Sequence, residues 1–172
     1  GKAKKFAHAY DSDTHLLEIL SMEHRNSWRK RDLQRAKTVV EEEKKILVLF
    51  NNKKQYRHIS NEIILHLTAS GDGRNPEEAK KIKALINNPL IKNEKNALTF
   101  NSKYSLYHTL SLYYSVNKKP AKQYEFAKIA VVLYLNNPEK IKLDTFTYLL
   151  SVHLMLTACH SYKKYDEAKI YI

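Results

Sequence analysis

The chain has 172 residues, one cysteine, three glycines and four prolines. That length suits one domain with a full core or a short run of stacked repeats, and so little turn chemistry excludes an all-β domain. A formal net charge of +12 keeps anionic partners in view, and a single cysteine excludes an internal disulfide and fits a reducing compartment.

The charge is graded along the chain. Residues 1–60 carry fourteen Lys/Arg against eight Asp/Glu, residues 61–120 nine against five, and the remainder seven against five. The densest basic cluster is Arg25, Arg29, Lys30, Arg31, Arg35 and Lys37, and no block of five or six like charges occurs. Lysines scattered in this way usually form a solvated helix face. Gly1-Lys-Ala-Lys-Lys lacks an apolar continuation, so it is not a secretory signal, and the most apolar run, Leu149 to Cys159, is about half of what a bilayer crossing needs. The expectation is a cytoplasmic protein without membrane contact. The opening Gly1 reads as a cloning remnant, which makes the chain an expected part of a longer protein.

In chain order, Lys2 to Tyr10 reads as the tail of a helix. Asp11-Ser12-Asp13 supplies capping side chains for a helix from about Thr14 to Lys30, with Leu16, Leu17, Leu20 and Trp28 on its apolar side. Arg31-Asp32 is a turn. The next helix carries Leu33, Ala36, Val40, Leu47 and Phe50, and is expected to break at Asn51-Asn52. A third, about Lys54 to Ser70, places Tyr56, Ile59, Ile63 and Leu67 at helical spacing, and Gly71-Asp72-Gly73 follows as a loop. Asn75-Pro76-Glu77-Glu78 predicts a helix start, with Asn as cap, Pro at the first position and Glu78 closing a capping box. Asn87-Asn88-Pro89 ends that short helix. An aromatic helix then runs from about Glu94 to Val116, Asn117-Lys-Lys-Pro120 turns into another that halts at Asn136-Asn137-Pro138, and a last long helix closes at Tyr162. Only about two helical turns follow Tyr165.

Four small or aromatic residues, Ala36, Ala79, Tyr124 and Ala168, recur at intervals of about 44 residues, just inside the second helix of successive hairpins. The turns before them correspond: Lys30-Arg31-Asp32-Leu33, Arg74-Asn75-Pro76, Lys118-Lys119-Pro120-Ala121 and Lys163-Lys164-Tyr165. A period of this size predicts one helical hairpin per unit, burying its apolar stripe by stacking. The expected hairpins are residues 12–50, 54–88, 94–136 and 138–172 of a single helical-repeat domain.

Lys164-Tyr165-Asp166-Glu167-Ala168 resembles the tetratricopeptide-repeat turn, in which an aromatic packs the hairpin and a small alanine lets two helices approach. With Tyr124-Glu-Phe126-Ala127-Lys128 and Asn137-Pro138-Glu139, the stretch from Lys103 to Ala168 looks like the long-helix tetratricopeptide-like proteins of Bacteroidetes, many without assigned function. In the register of Ala168 the preceding helix offers Val152, Met155, Leu156 and Cys159, which keeps the apolar character but not the family's small residue and aromatics. The resemblance implies an all-α, right-handed α-α superhelix of about four hairpins. It also implies a concave groove that binds a peptide or protein segment.

Catalytic chemistry is not spelled out. Gly-x-Ser-x-Gly and His-Glu-x-x-His are absent, Gly71-Asp72-Gly73 lacks the strand and trailing glycine of a phosphate cradle, and Cys159 lies in an apolar run. His15/Glu18 and Glu62/His66 share helix faces, but no Cys/His cluster accompanies them. The expectation is a non-enzymatic interaction or scaffold module with no metal and no cofactor. Its groove residues are expected to be Tyr107, His108, Tyr114 and Tyr148, chosen because tyrosines give stiff contact surface. The rival expectation is a nucleic-acid-binding or regulatory helical-repeat protein using Arg25, Arg29 and Lys30 as an anion-binding patch. Against it, Trp28 is expected on the apolar side, away from bases. Leu149, Val152 and Leu156 are expected to border an exposed C-terminal edge prone to homodimer contact.

Overall fold

The computed structural model describes residues 2–10, 12–69 and 75–171. Those residues form helices and no strand: α1 (Lys2–Ala9), α2 (Asp13–Arg29), α3 (Leu33–Ala69), α4 (Pro76–Ile86), α5 (Pro89–Lys92), α6 (Phe100–Val116), α7 (Pro120–Leu135), α8 (Pro138–Leu143), α9 (Thr145–Ser161) and α10 (Tyr165–Ala168). Short 3-10 turns occupy Glu94–Asn96 and Lys169–Tyr171. The chain divides into two compact units, Gly1–Asn52 and Lys53–Ile172.

All four prolines sit at the first position of a helix, where the missing N–H is one that no helix uses. Asn75 accepts from the Glu77 backbone N–H as an N-cap. Glu78 does not close the expected capping box; its carboxylate holds the His66 ring and, at 2.7 Å, Lys81. The expected break at Asn51-Asn52 is also absent, because α3 runs through both. Asparagine costs a helix interior at most about 0.7 kcal/mol relative to alanine, which flanking packing overrides. The expected long helix from Pro138 is instead two. Asp144 ends α8 and caps α9 by accepting from the Thr147 backbone N–H at 3.0 Å and its hydroxyl at 2.6 Å. Thr99 likewise starts α6 later than expected, accepting from the Ser102 N–H. The loop expected at Gly71–Gly73 and the capping role of Asp11 lie outside the described residues.

In the first unit Ala7, Leu16, Leu20, Val39 and Ile46 form the core. Lys4 reaches Glu23 at 3.5 Å and also Glu42, and Arg35 pairs with Glu23 at 2.6 Å, so charged groups from α1, α2 and α3 close over one edge. In the second unit Tyr56, Ile59 and Ile63 of α3 pack with Ile82, Ile91, Leu106, Tyr107 and Leu110. The Tyr56 hydroxyl donates to the Leu90 carbonyl at 2.7 Å, tying the irregular α5 region to α3. A neighbouring cluster joins Ala127 and Val131 of α7 to Leu154, Met155, Ala158 and Cys159 of α9.

Three turns share one backbone geometry. Arg31, Lys118 and Lys163 each adopt a left-handed φ, of 57°, 53° and 59°. In each, the residue itself bonds back to the carbonyl three before it, and its successor to the carbonyl five before: Arg31 to Trp28 and Asp32 to Ser27, Lys118 to Ser115 and Lys119 to Tyr114, Lys163 to His160 and Lys164 to Cys159. This is the Schellman closure of a helix C-terminus. Lys118 and Lys163 stand 45 residues apart, and Arg31 stands 87 before Lys118. Counting five residues on from each left-handed position reaches Ala36, Gln123 and Ala168. The small-residue register therefore falls on Gln123, which is buried, and not on Tyr124 as expected. The side-chain nitrogen of Gln123 has no hydrogen-bond partner among the described residues.

At the final elbow the packing aromatic also differs from expectation. Tyr165 is largely exposed and meets the His160 ring edge, 6.1 Å between centroids. The elbow is held instead by Glu167, which accepts from the Tyr124 hydroxyl and from Lys128 at 2.6 Å. Those two hydrogen bonds hold the Glu167 carboxyl below the ordinary range.

Candidate functional site

Phe100, Tyr104 and His108 recur every four residues on α6, so their rings form one stripe. The Tyr104 and His108 rings lie 5.5 Å apart, and Tyr134 of α7 meets Tyr104 at 5.4 Å and Phe100 at 4.9 Å, both edge to face. Tyr148 of α9 adds a further ring, 5.7 Å from Tyr134. Tyr134 is buried, whereas Phe100, Tyr104, His108 and Tyr148 are half-buried. The result is an aromatic face built from three helices and supported from below. Lys140 stands over Phe100 at 5.8 Å.

The face is electrostatically graded. Burial, then the charge of Asp144, pushes the Tyr134 hydroxyl up to about 12, with a hydrogen bond from Thr147 acting the other way. Burial, together with Tyr134 and Asp144, raises Tyr104 further. Burial lowers His108 below the ordinary histidine value, so its imidazole is neutral at physiological pH. Near neutrality the face thus offers uncharged rings with hydroxyl and imidazole edges, flanked by one cation and one anion. Such a surface suits extended or helical peptide contacts, because aromatic side chains bring large area with few rotatable bonds.

Of the four expected groove residues, His108 and Tyr148 belong to this face. Tyr107 does not: it is only 5% exposed, lies in the core beside Ile82 and Leu106, and its hydroxyl engages Glu94. Tyr114 stacks flat on Phe126, 5.6 Å between centroids, at the opposite end of α6. Residues 107 and 108 are adjacent and so point about 100° apart on the helix. The spacing Phe100-Tyr104-His108 was readable in the sequence, and Phe100, Tyr104 and Tyr134 are the residues missed.

In the first unit Arg25 and Arg29 are exposed, one turn apart on α2, and make no ion pair among the described residues. Lys30 sits at the C-cap of α2, on a different side. Trp28 departs from expectation. It is 58% exposed, its indole N–H donates to His24 at 2.9 Å, and the buried position on that turn goes to Ser27. Trp28 borders a pocket of about 430 Å³ shared with Leu33 and Val40 of α3.

The histidine–carboxylate pairs considered as ligands are engaged elsewhere: His15 with Ser12 at 2.6 Å, Glu62 with His58 at 3.1 Å, and His66 with Glu78. Among the described residues no three His, Cys, Asp or Glu side chains gather as a metal site, and no helix is long and apolar enough to cross a membrane. Cys159 is fully buried, and burial raises its thiol. Compared with known proteins, the chain matches no family model, no curated protein and no solved structure.

Proposed function

We propose that the chain is a non-enzymatic interaction module whose second unit receives a peptide or protein segment on the Phe100–Tyr104–His108–Tyr148 face. The observation that carries this reading is the half-buried aromatic stripe, held by the buried Tyr134 and offering flat, stiff contact area. In this reading the chain is a tetratricopeptide-like solenoid: about four helical hairpins on a right-handed superhelix, in a cytoplasmic scaffold. The three matching Schellman turns, 87 and 45 residues apart, support a repeated hairpin unit of about 44 residues, with the first interval spanning two units.

The test is selection of binding peptides from a displayed library, followed by titration against variants. Tyr104→Ala and Tyr148→Ala should each weaken binding about tenfold or more, as central aromatic anchors do. Ile170→Ala, at a well-exposed position, should leave it unchanged. Unchanged affinity in both tyrosine variants, with native circular dichroism, overturns the assignment.

A second reading, nucleic-acid binding or regulation through the basic N-terminal surface, is favoured by the exposure of Trp28 beside Arg25 and Arg29. It requires oligonucleotide affinity that falls steeply with salt and is lost in Arg25→Glu/Arg29→Glu. No binding at low salt removes it.

A further inference from the structure

The pocket beside Trp28 has a lining that its surroundings do not explain. Trp28 and Leu33 are 58% and 59% exposed, and buried Ala36 and half-buried Val40 continue the apolar lining along α3, one and two turns on from Leu33. Positions 33, 36 and 40 give a straight apolar track beside α2, the geometry in which a helix lays down its own apolar anchors. The Trp28 indole N–H is already satisfied by His24, so the ring is free to act as an apolar wall.

The charge around this track is mainly basic, although Glu41 lines the pocket and Asp32 precedes Leu33. Three acids of the unit are paired: Glu23 and Glu42 with Lys4, Glu23 also with Arg35, and Glu41, at the pocket rim, with Lys44 at 2.8 Å. Arg25, Arg29, Lys30, Arg31 and Lys37 are exposed and make no ion pair among the described residues. Lys37 lines the pocket itself, and Arg25 lies about 60° around α2 from Trp28.

We propose that this corner of the first unit docks an acidic amphipathic helix, with a bulky apolar side chain between Trp28, Leu33 and Val40 and carboxylates meeting Lys37 and Arg25. Charge complementarity selects an acidic partner, and the aliphatic lining selects a peptide over a nucleic acid. Leu33, Ala36 and Val40 offer a base edge neither donor nor acceptor, whereas a leucine or phenylalanine needs only apolar contact. The site is separate from the aromatic face of the second unit and does not depend on it.

Trp28 is the only tryptophan, so its fluorescence reports the site directly. The whole chain is titrated with a synthetic helical peptide carrying Leu at i, i+3, i+4 and i+7 and Asp/Glu elsewhere. Its scrambled isomer, polyglutamate and a single-stranded oligonucleotide are run at the same ionic strength. The expected result is a blue shift with the amphipathic peptide, and at least tenfold weaker binding of the other three. Lys37→Glu/Arg25→Glu and, separately, Leu33→Glu should each weaken the peptide at least tenfold. Both change exposed positions, and Ile170→Ala, at a well-exposed position of the second unit, should have no effect. The proposal is overturned if the scrambled peptide or polyglutamate binds equally well, or if the oligonucleotide binds more tightly. It is also overturned if the first-unit variants leave affinity unchanged or if Ile170→Ala abolishes the response.

Discussion

Replacing Lys118 by glycine should stabilise the protein. Lys118 is held at φ 53° by the turn between α6 and α7, and a left-handed conformation costs an L-residue about 1–2 kcal/mol. Glycine removes that cost but carries about 0.4–1 kcal/mol of additional freedom in the unfolded chain, leaving a net gain of about 0.5–1 kcal/mol. The Lys118 side chain makes no ion pair among the described residues, so nothing offsets the gain. Lys163→Gly should behave alike at φ 59°, and Arg31→Gly at φ 57°. Arg29→Gly is the control. It lies two residues before Arg31, at the last position of α2 and exposed, and glycine there should destabilise by up to about 1 kcal/mol, the cost of glycine in a helix interior. Urea unfolding followed by far-ultraviolet circular dichroism gives the midpoints. If Lys118→Gly and Lys163→Gly lower the midpoint as Arg29→Gly does, the turns are not closed by left-handed residues, and the repeated geometry falls with them.

Three further outcomes follow from particular side chains. Burial depresses His108, so its contribution is complete above the unfolded histidine value of about 6.5 and is lost as pH falls below it, because only the unfolded chain then gains the proton readily. His108→Gln should flatten the fall of the urea midpoint between neutrality and mild acid, and an unaltered slope would show that another group carries it. Cys159 is fully buried with its thiol raised, so labelling by a soluble disulfide reagent should be slow in native buffer and fast in urea; prompt native labelling would contradict the packing of α9 on α7. Phe146 and Leu149 are 71% and 57% exposed on α9, so self-association in sedimentation at high concentration should decrease in Phe146→Glu/Leu149→Glu. A wild-type chain that stays monomeric throughout would remove the expected C-terminal edge contact.

Helix starts were legible at Pro76, Pro120 and Pro138, and were missed at Pro89, Thr99 and Asp144. Asn75-Pro76 caps as its chemistry requires, and every proline opens a helix. Helix continuity was less legible, because Asn51-Asn52 is a weak breaker and α3 absorbs it. The division at Asp144 was written in Asp144-x-x-Thr147, a capping pattern easily passed over inside an apolar run. Which face a residue occupies was the hardest quantity to read. One step around a helix separates buried Tyr107 from half-buried His108, buried Ser27 from exposed Trp28, and buried Gln123 from Tyr124. A sequence stripe tolerates such a shift because apolar residues stand on both sides of it. Tertiary neighbours settle the choice: Glu94 takes the Tyr107 hydroxyl, and Glu167 takes that of Tyr124.

The central claim is that the aromatic face of the second unit is where a peptide docks. Amide chemical-shift mapping with a library-selected peptide tests it most directly. The account predicts that the largest perturbations fall on residues 100–108 of α6 and on residues 144–148 at the start of α9. Perturbations concentrated along α2, or on the outward residues Leu149, His153 and Thr157 of α9, would contradict it.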